Sequence, residues 1–307
     1  MKLFINRPKE DWVVDRFVDE WNRYNFKQSR YSFFGEKIIW IIAPWTWKKI
    51  PTNILKKNKV LCTIHHIDED KFDEKELLKF QDRDKYIDHY HVISNSTYEQ
   101  VKKITTKKIT VIPFWANQDL WYQIENKKSL YNKYNLSAES YYVSSFQRDT
   151  EGYDLTSPKL SKGPDQFFEI VKHLNKEEEN LVVILTGKRR QYIIEKLKKE
   201  KINFKYYEMA TFDEINELYN ITDLYIVSSR YEGGPQSILE CALTRTPIIS
   251  TDVGIAKEIL DDSSIFDMSN FKNAVPNVEV ANRNVKQFLI PEGFQKFNSL
   301  LKEIYEN

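Results

Sequence analysis

In the stretch RYEGGPQSILECAL (230–243), two adjacent glycines stand behind one glutamate, Glu232, and a second, Glu240, follows eight positions on. The β-branched run LYIVSS (224–229) reads as a strand ending just before it, and Pro235 fits the first position of a helix. Gly233 and Gly234 remove side chains where backbone must come close to a ligand. The free amides of Gln236, Ser237 and Ile238 then point out of a helix N-terminus, whose partial positive charge suits an anion such as a diphosphate. On one continuous helix the two carboxylates would lie about 12 Å apart, too far to share a small group. With Glu232 in the loop, Glu240 sits about one and a half turns into the helix and leans back toward its start. Glu232 is then expected to face the group beyond the phosphates. Glu240 is expected to accept hydrogen bonds from the paired hydroxyls of the sugar behind them. A turn followed by a helix with a solvent-facing acid is the plainer reading, against which stand the apolar neighbours Leu239 and Cys241.

Other residue types could join this chemistry. Arg148 and Lys162 lie after one strand-like run and before a helical one, where positive charge would stabilise a departing diphosphate. Solvated surface charge is the ordinary fate of such residues. His65 and His66 close the run VLCTIHH (60–66), and on a strand only one of them can face the carboxyl edge where ligands bind. The Asp-x-Asp pairs at 68–70 and 82–84 imitate a divalent-metal motif, but both lie in a highly charged segment of helical period. They are expected to be solvated faces, and no catalytic metal is expected.

The elements that must position these groups alternate from end to end, which points to βα units around mainly parallel sheets. Strands are expected at 3–5, 38–43, 60–66, 89–94 and 109–113, then at 141–146, 181–187, 204–208, 224–229 and 247–251. Pro8 suits the start of a helix in which Trp12, Phe17, Trp21 and Tyr24 follow at roughly helical spacing. Further helices are expected at 73–83 and 96–104, then at about 163–175, 190–200, 212–220, 235–245 and 254–260. A polar, asparagine-rich stretch without clear period places a boundary near 120–138. The expected organisation is a first domain over 1–130, a second over 131–285, and a helix over 286–307 packing back on the first. Two doubly wound α/β sheets would face one another across a cleft at the carboxyl ends of their strands.

Lysine plus arginine (46) nearly balance aspartate plus glutamate (45), so no global field favours nucleic acid. Cys62 and Cys241 are far apart, match neither a disulfide framework nor a zinc site, and suit a reducing cytosol. The first residues lack the apolar core of a signal peptide, and no window approaches a membrane span, so a cytoplasmic chain is expected. PWTWKKIPTNILKKNK (44–59) mixes tryptophans with lysines. It suits peripheral contact with an anionic bilayer as well as it suits an amphipathic helix packing inward.

The run E-G-G-P-Q-S-I-L-E at 232–240, a glutamate, seven residues and a glutamate, resembles the signature of the retaining glycosyltransferases of family 4, which have the GT-B fold of two Rossmann-like domains. CALTRTPIISTDVGIAKEI continues the likeness. SSFQRD and PKLSKGPDQFFEIV look like that family's Arg and Lys-Gly pair, and VILTG with Lys188 looks like its next strand and loop. The resemblance therefore implies diphosphate binding by Arg148 and Lys162, and donor contacts by Lys188, Gly233, Gly234, Gln236, Ser237, Ile238 and Glu240. CTIHH is similar to the segment whose histidine contacts the donor sugar, which falls on His65. The implied activity is transfer of a sugar from a nucleotide-diphosphate donor, a co-substrate needing no further cofactor, to a glycan or lipid-linked acceptor. Two departures stand out: INRPKEDW replaces a glycine-rich loop after the first strand, and IPFWANQD replaces IPNGVD. A sugar-nucleotide epimerase of the same architecture and a non-catalytic subunit that binds nucleotide sugar or glycan are the alternatives. Release of nucleotide from a panel of nucleotide sugars separates the three.

Overall fold

The computed structural model describes residues 1–10, 13–35 and 37–306. The chain divides into two compact units, Met1–Trp115 with Pro291–Asn307, and Ala116–Ile290.

Among the described residues, the first unit holds the strands β1 (Leu3–Ile5), β2 (Ser29–Arg30), β3 (Ile38–Ile41), β4 (Lys59–Ile64), β5 (His89–Val92) and β6 (Lys108–Val111). They form one parallel sheet in the order β2-β1-β3-β4-β5-β6. Its early helices are α1 (Val13–Tyr24), α2 (Thr52–Leu55), α3 (Glu74–Asp84) and α4 (Asn95–Val101). Asp73 caps α3 through the Glu76 amide, and Ser94 caps α4 through the Thr97 amide, so each helix starts where a short oxygen side chain can take an orphan donor. Alternation along β3 sends Ile39 and Ile41 into a core with Val60, Cys62, Phe80 and Val92. Trp40 points to the other face, where its ring meets Trp21 of α1 edge-on at 5.5 Å.

The first helix begins at Val13 among the described residues, so Pro8 is a loop residue rather than a first helical one. Asp15 explains the difference: its buried carboxylate takes the Arg7 Nε (3.1 Å) and the amides of Lys9 (3.0 Å) and Glu10 (2.7 Å), winding the loop back onto the helix. Trp12, expected on the same helix, lies outside the described residues. In residues 44–59 Trp47, Ile50 and Leu55 are buried, while Trp45 is exposed together with Lys48, Lys49, Lys56 and Lys57.

The second unit holds β7 (Tyr141–Ser145), β8 (Leu181–Thr186), β9 (Asn203–Tyr207), β10 (Leu224–Val227), β11 (Ile248–Thr251) and β12 (Ile265–Phe266). Its parallel order is β12-β11-β10-β7-β8-β9. The helices are α5 (Lys127–Tyr134), α6 (Pro164–Leu174), α7 (Gln191–Lys199), α8 (Phe212–Ile221), α9 (Gln236–Thr244), α10 (Ala256–Ile259) and α11 (Val278–Val285). Phe167, Ile170, Val171, Ile193 and Leu197 from α6 and α7 pack on Val143, Val183 and Leu185 of the sheet.

The division after Trp115 falls earlier than the expected 130/131. Ala116 pairs with Leu289, the Gln118 amide donates to the Ile290 carbonyl (2.6 Å), and the side chains of Asn216 and Asn220 take the amides of Tyr122 and Ile124. The polar stretch that reads as a linker is thus stitched to its own unit. At the other end, α12 (Gln295–Glu306) belongs to the first unit. Its Phe297 stacks on Trp40 at 5.3 Å and on Phe114 at 5.8 Å.

Candidate functional site

From β7 the second sheet runs outward through β8 and β9, then restarts on the other side at β10. The reversal makes a switch point between β7 and β10, the place where sheets of this kind bind ligands outside their carboxyl ends. The loops meeting there are tied by named bonds. Gln147, just past β7, donates to the Lys162 carbonyl (2.8 Å) and accepts from the Ser229 hydroxyl (3.3 Å). Gln166 donates to the Ser228 carbonyl (2.7 Å), and the Ser228 hydroxyl donates to the Gly163 carbonyl (2.8 Å). Arg230 grips Asp165 with both terminal nitrogens, at 2.8 and 2.6 Å.

Gly163 has φ +59, and a Cβ there would stand 1.7 Å from the Ser228 carbonyl oxygen. The Lys-Gly step is therefore dictated by a strand end far along the chain. On this framework Lys162 donates to Glu232, and the two side chains are only 18% and 11% exposed. Two residues singled out from the sequence for separate roles are thus partners. The Ser229 hydroxyl also reaches Glu232 at 3.3 Å. Behind them Gly233 is buried, and its carbonyl would meet a Cβ on Gly254 (φ +56) at 2.6 Å.

The helix after the glycines differs from expectation in one turn. Pro235 precedes α9 with ψ 115, outside the helical range, so Gln236 is the first helical residue. The Ile238 amide is consequently spent on the Pro235 carbonyl (3.1 Å), which removes Ile238 from the expected set of outward donors. Gln236 and Ser237 form the opening of the turn. Glu240 is buried and accepts from the Tyr219 hydroxyl at 2.8 Å. Burial first and the Glu240 charge second push that phenol well above its ordinary range, so the tyrosine stays a donor. Tyr219 itself is wedged among Phe146, Trp121 and Tyr225.

Arg148 and Lys188 stand exposed on the loops that follow β7 and β8. Their neighbours explain how those loops keep their shape. Arg190, 1% exposed, donates to Asp149 (2.9 Å) and to the carbonyls of Ser145 and Thr186, the last residues of the two strands. Burial raises the Asp149 carboxyl, against the pull of the Arg190 charge. Neither residue of this clamp was singled out from the sequence. The pattern QRD followed later by KRR carries no spacing rule that would reveal it.

In the first unit, β4 stops at Ile64, so His65 and His66 both lie beyond the strand and the alternation expected of them does not apply. The His65 Nε2 lies 2.8 Å from the Ile42 carbonyl, which can only accept, so that nitrogen carries the proton. The ring lies nearly parallel to Phe114 at 5.9 Å. INRPKEDW stands where the resembled family carries a glycine-rich loop, and the switch point of the first sheet, between β1 and β3, is filled by Asn6. Its amide donates to the Thr46 hydroxyl (2.6 Å), while its oxygen accepts from the Ile42 amide (2.8 Å). Asp84 accepts from Tyr90 (2.9 Å) and Thr105 (2.8 Å), and Asp82 pairs with Lys85 and Lys48. Cys62 and Cys241 are free and buried, and burial pushes the Cys62 thiol up to about 11.

Residues 157–302 match the family model described as glycosyl transferases group 1. The matched segment holds Lys162, Lys188, both glycines and both glutamates, while Arg148 and His65 lie before it. A probable sucrose-phosphate synthase of Thermosipho melanesiensis is 29% identical over 173 residues, a match spanning 55% of this chain and 38% of that protein. Among solved structures, a sucrose-phosphate synthase of Thermosynechococcus elongatus superposes with a TM-score of 0.71 at 15% identity, covering 98% of this chain and 81% of that one. Anabaena HepE, solved with UDP and glucose, gives 0.75 at 11% identity over 98% of this chain and 99% of that one. The fold is accordingly that of the GT-B glycosyltransferases, two six-stranded parallel α/β units among the described residues.

Proposed function

We propose that this chain is a retaining glycosyltransferase of family 4 that moves a sugar from a nucleotide-diphosphate donor onto a glycan or lipid-linked acceptor. The observation that carries the reading is the junction at the second switch point. There Lys162 donates to Glu232 directly ahead of Gly233, Gly234 and the first turn of α9. The family match over 157–302 supports it, and the UDP held by the similar HepE structure makes uridine diphosphate the first nucleotide to test.

In this reading the diphosphate rests against the opening turn of α9, with Arg148 and Lys188 supplying charge from the neighbouring loops. Lys162 turns from Glu232 toward the leaving phosphate as the sugar–phosphate bond lengthens, so its charge acts where the transition state needs it. Glu232 receives hydroxyls of the donor sugar. Glu240, oriented by the Tyr219 hydroxyl, accepts from the ribose hydroxyls. The leaving phosphate takes the acceptor proton while the new bond forms on the same face of the sugar, which retains the anomeric configuration without a covalent enzyme intermediate.

Calorimetric titration with uridine, guanosine and adenosine diphosphates tests the site. One of them is expected to bind, and Glu240→Ala to weaken it about 10- to 100-fold, the range for losing hydrogen bonds to a charged group. Undiminished affinity in that variant, or silence toward all three nucleotides, overturns the assignment.

A further inference from the structure

We propose that residues 23–35, wrapped around the edge strand β2, form a contact surface for an anionic lipid bilayer. Phe26 is 66% exposed, Tyr31 87% and Phe34 70%, and Tyr24 adds a fourth partly exposed ring within eleven residues. Scattered single apolar residues on a surface need no explanation, but this density on one short segment does. The rings are held in place from behind. Phe33 packs edge-on against Phe4 of β1 at 5.6 Å, which anchors the loop and leaves its neighbour Phe34 outward. The Ser32 hydroxyl takes the Phe34 amide, and Arg30 donates to the carbonyls of Lys27 and Ser29.

Charge identifies the occupant. Arg23, Lys27 and Arg30 are interleaved with the rings, and no acidic residue occurs from 22 to 35, in a chain whose totals otherwise balance at 46 basic and 45 acidic. Rings at head-group depth with basic side chains beside them suit an anionic membrane surface, where aromatic and basic residues each find their preferred layer. A protein partner fits less well, because lysine is depleted from interface cores, and β2 offers only two residues of edge to a second copy. The segment is distinct from 44–59, which buries Trp47, Ile50 and Leu55 and leaves Trp45 exposed. The proposal stands whether or not the chain transfers sugar.

The test uses the full chain with sedimented vesicles of phosphatidylcholine, with and without phosphatidylglycerol. Binding is expected only to the anionic vesicles and to weaken as salt is raised. The double variant Phe26→Ser, Phe34→Ser is expected to lower partition about tenfold or more. Arg23→Gln with Lys27→Gln is expected to do the same for anionic vesicles. Lys56→Gln with Lys57→Gln serves as the control and should change little. Thermal melts and nucleotide titration on every variant separate a folding defect, or failure of the donor site, from loss of membrane contact. No pelleting with anionic vesicles, or pelleting indifferent to both double variants, overturns the proposal. So does self-association abolished by the same substitutions, which would assign the patch to a second copy.

Discussion

A methyl group on Gly163 would strike the Ser228 carbonyl at 1.7 Å and its carbon at 2.7 Å, and both are backbone atoms that cannot swing aside. Gly187 offers the comparison: its φ is +84, as unwelcoming to a side chain as Gly163, yet nothing lies within 4 Å of the added carbon. Gly187→Ala should therefore cost only the left-handed backbone, about 1–2 kcal/mol. Gly163→Ala adds an overlap worth about 1–3 kcal/mol more and pushes apart the loops that carry Lys162 and Glu232. Urea unfolding of both variants measures the difference, and nucleotide titration should show weakened binding for Gly163→Ala. Equal stability losses would mean that the close approach of the two strand ends is unimportant. The sequence marks the Lys-Gly step by resemblance, but its cause is a carbonyl on β10's flank that no local pattern announces. Glu240 shows the same limit: its apolar neighbours speak against full exposure, whereas Tyr219, its donor, comes from another helix.

Gln147 acts between elements. It ties the turn before α6, through the Lys162 carbonyl, to the loop after β10, through the Ser229 hydroxyl. Both bonds disappear in Gln147→Ala, which should cost about 1–2 kcal/mol at the usual worth of a hydrogen bond and weaken nucleotide binding severalfold. Gln147→Glu keeps an acceptor for Ser229 but cannot donate to the carbonyl, so it should loosen only the turn at 160–163. Hydrogen exchange distinguishes the two: faster exchange at both 160–163 and 228–234 in the alanine variant, and at the first alone in the glutamate variant. Unchanged exchange in both loops would deny Gln147 this role. At this scale much of the fold is legible, because β-branched runs and apolar periodicity mark the long strands and helices of both sheets. What escapes is short or internally satisfied. The strands β2 and β12 have two residues each, too few to show a period, and α5 buries Leu130 as the single buried side chain among its described residues. The expected boundary misses its place because side-chain amides of Asn216 and Asn220, distant in sequence, satisfy the asparagine-rich segment.

The two cores of the molecule should answer to different variables, and acid addresses the first. His91 is fully buried in a chain of directed bonds: the Trp40 indole donates to the Thr63 hydroxyl (2.8 Å), Thr63 meets the His91 Nδ1 (2.9 Å), and Nε2–H donates to the Ile112 carbonyl (2.7 Å). Every position in this chain is filled when the ring is neutral, and a second ring proton would confront the Thr63 hydroxyl. Burial above all, with the charges of His65 and His89 adding to it, lowers the His91 pKa to about 3. The unfolded chain, with an ordinary histidine near 6.5, binds the proton that the folded one refuses. Stability is therefore complete above pH 6.5 and falls as pH drops toward 3, by about 1.4 kcal/mol per pH unit from this group. Among the described residues Trp21, Trp40, Trp45, Trp47 and Trp115 fall in the first unit and Trp121 in the second, so tryptophan fluorescence reports mainly on the acid-sensitive core. Denaturant melts followed by that signal between pH 6.5 and 4.5 should show the slope, and His91→Asn should be less stable at neutral pH yet lose less on acidification. Equal slopes in the two proteins would remove His91 as the cause. The second unit carries the proposed donor site, so nucleotide at about 100 times its dissociation constant should add about 2.7 kcal/mol there. The fluorescence transition of the first core then keeps its acid dependence with or without nucleotide, because a ligand stabilises only the unit whose folding creates its site.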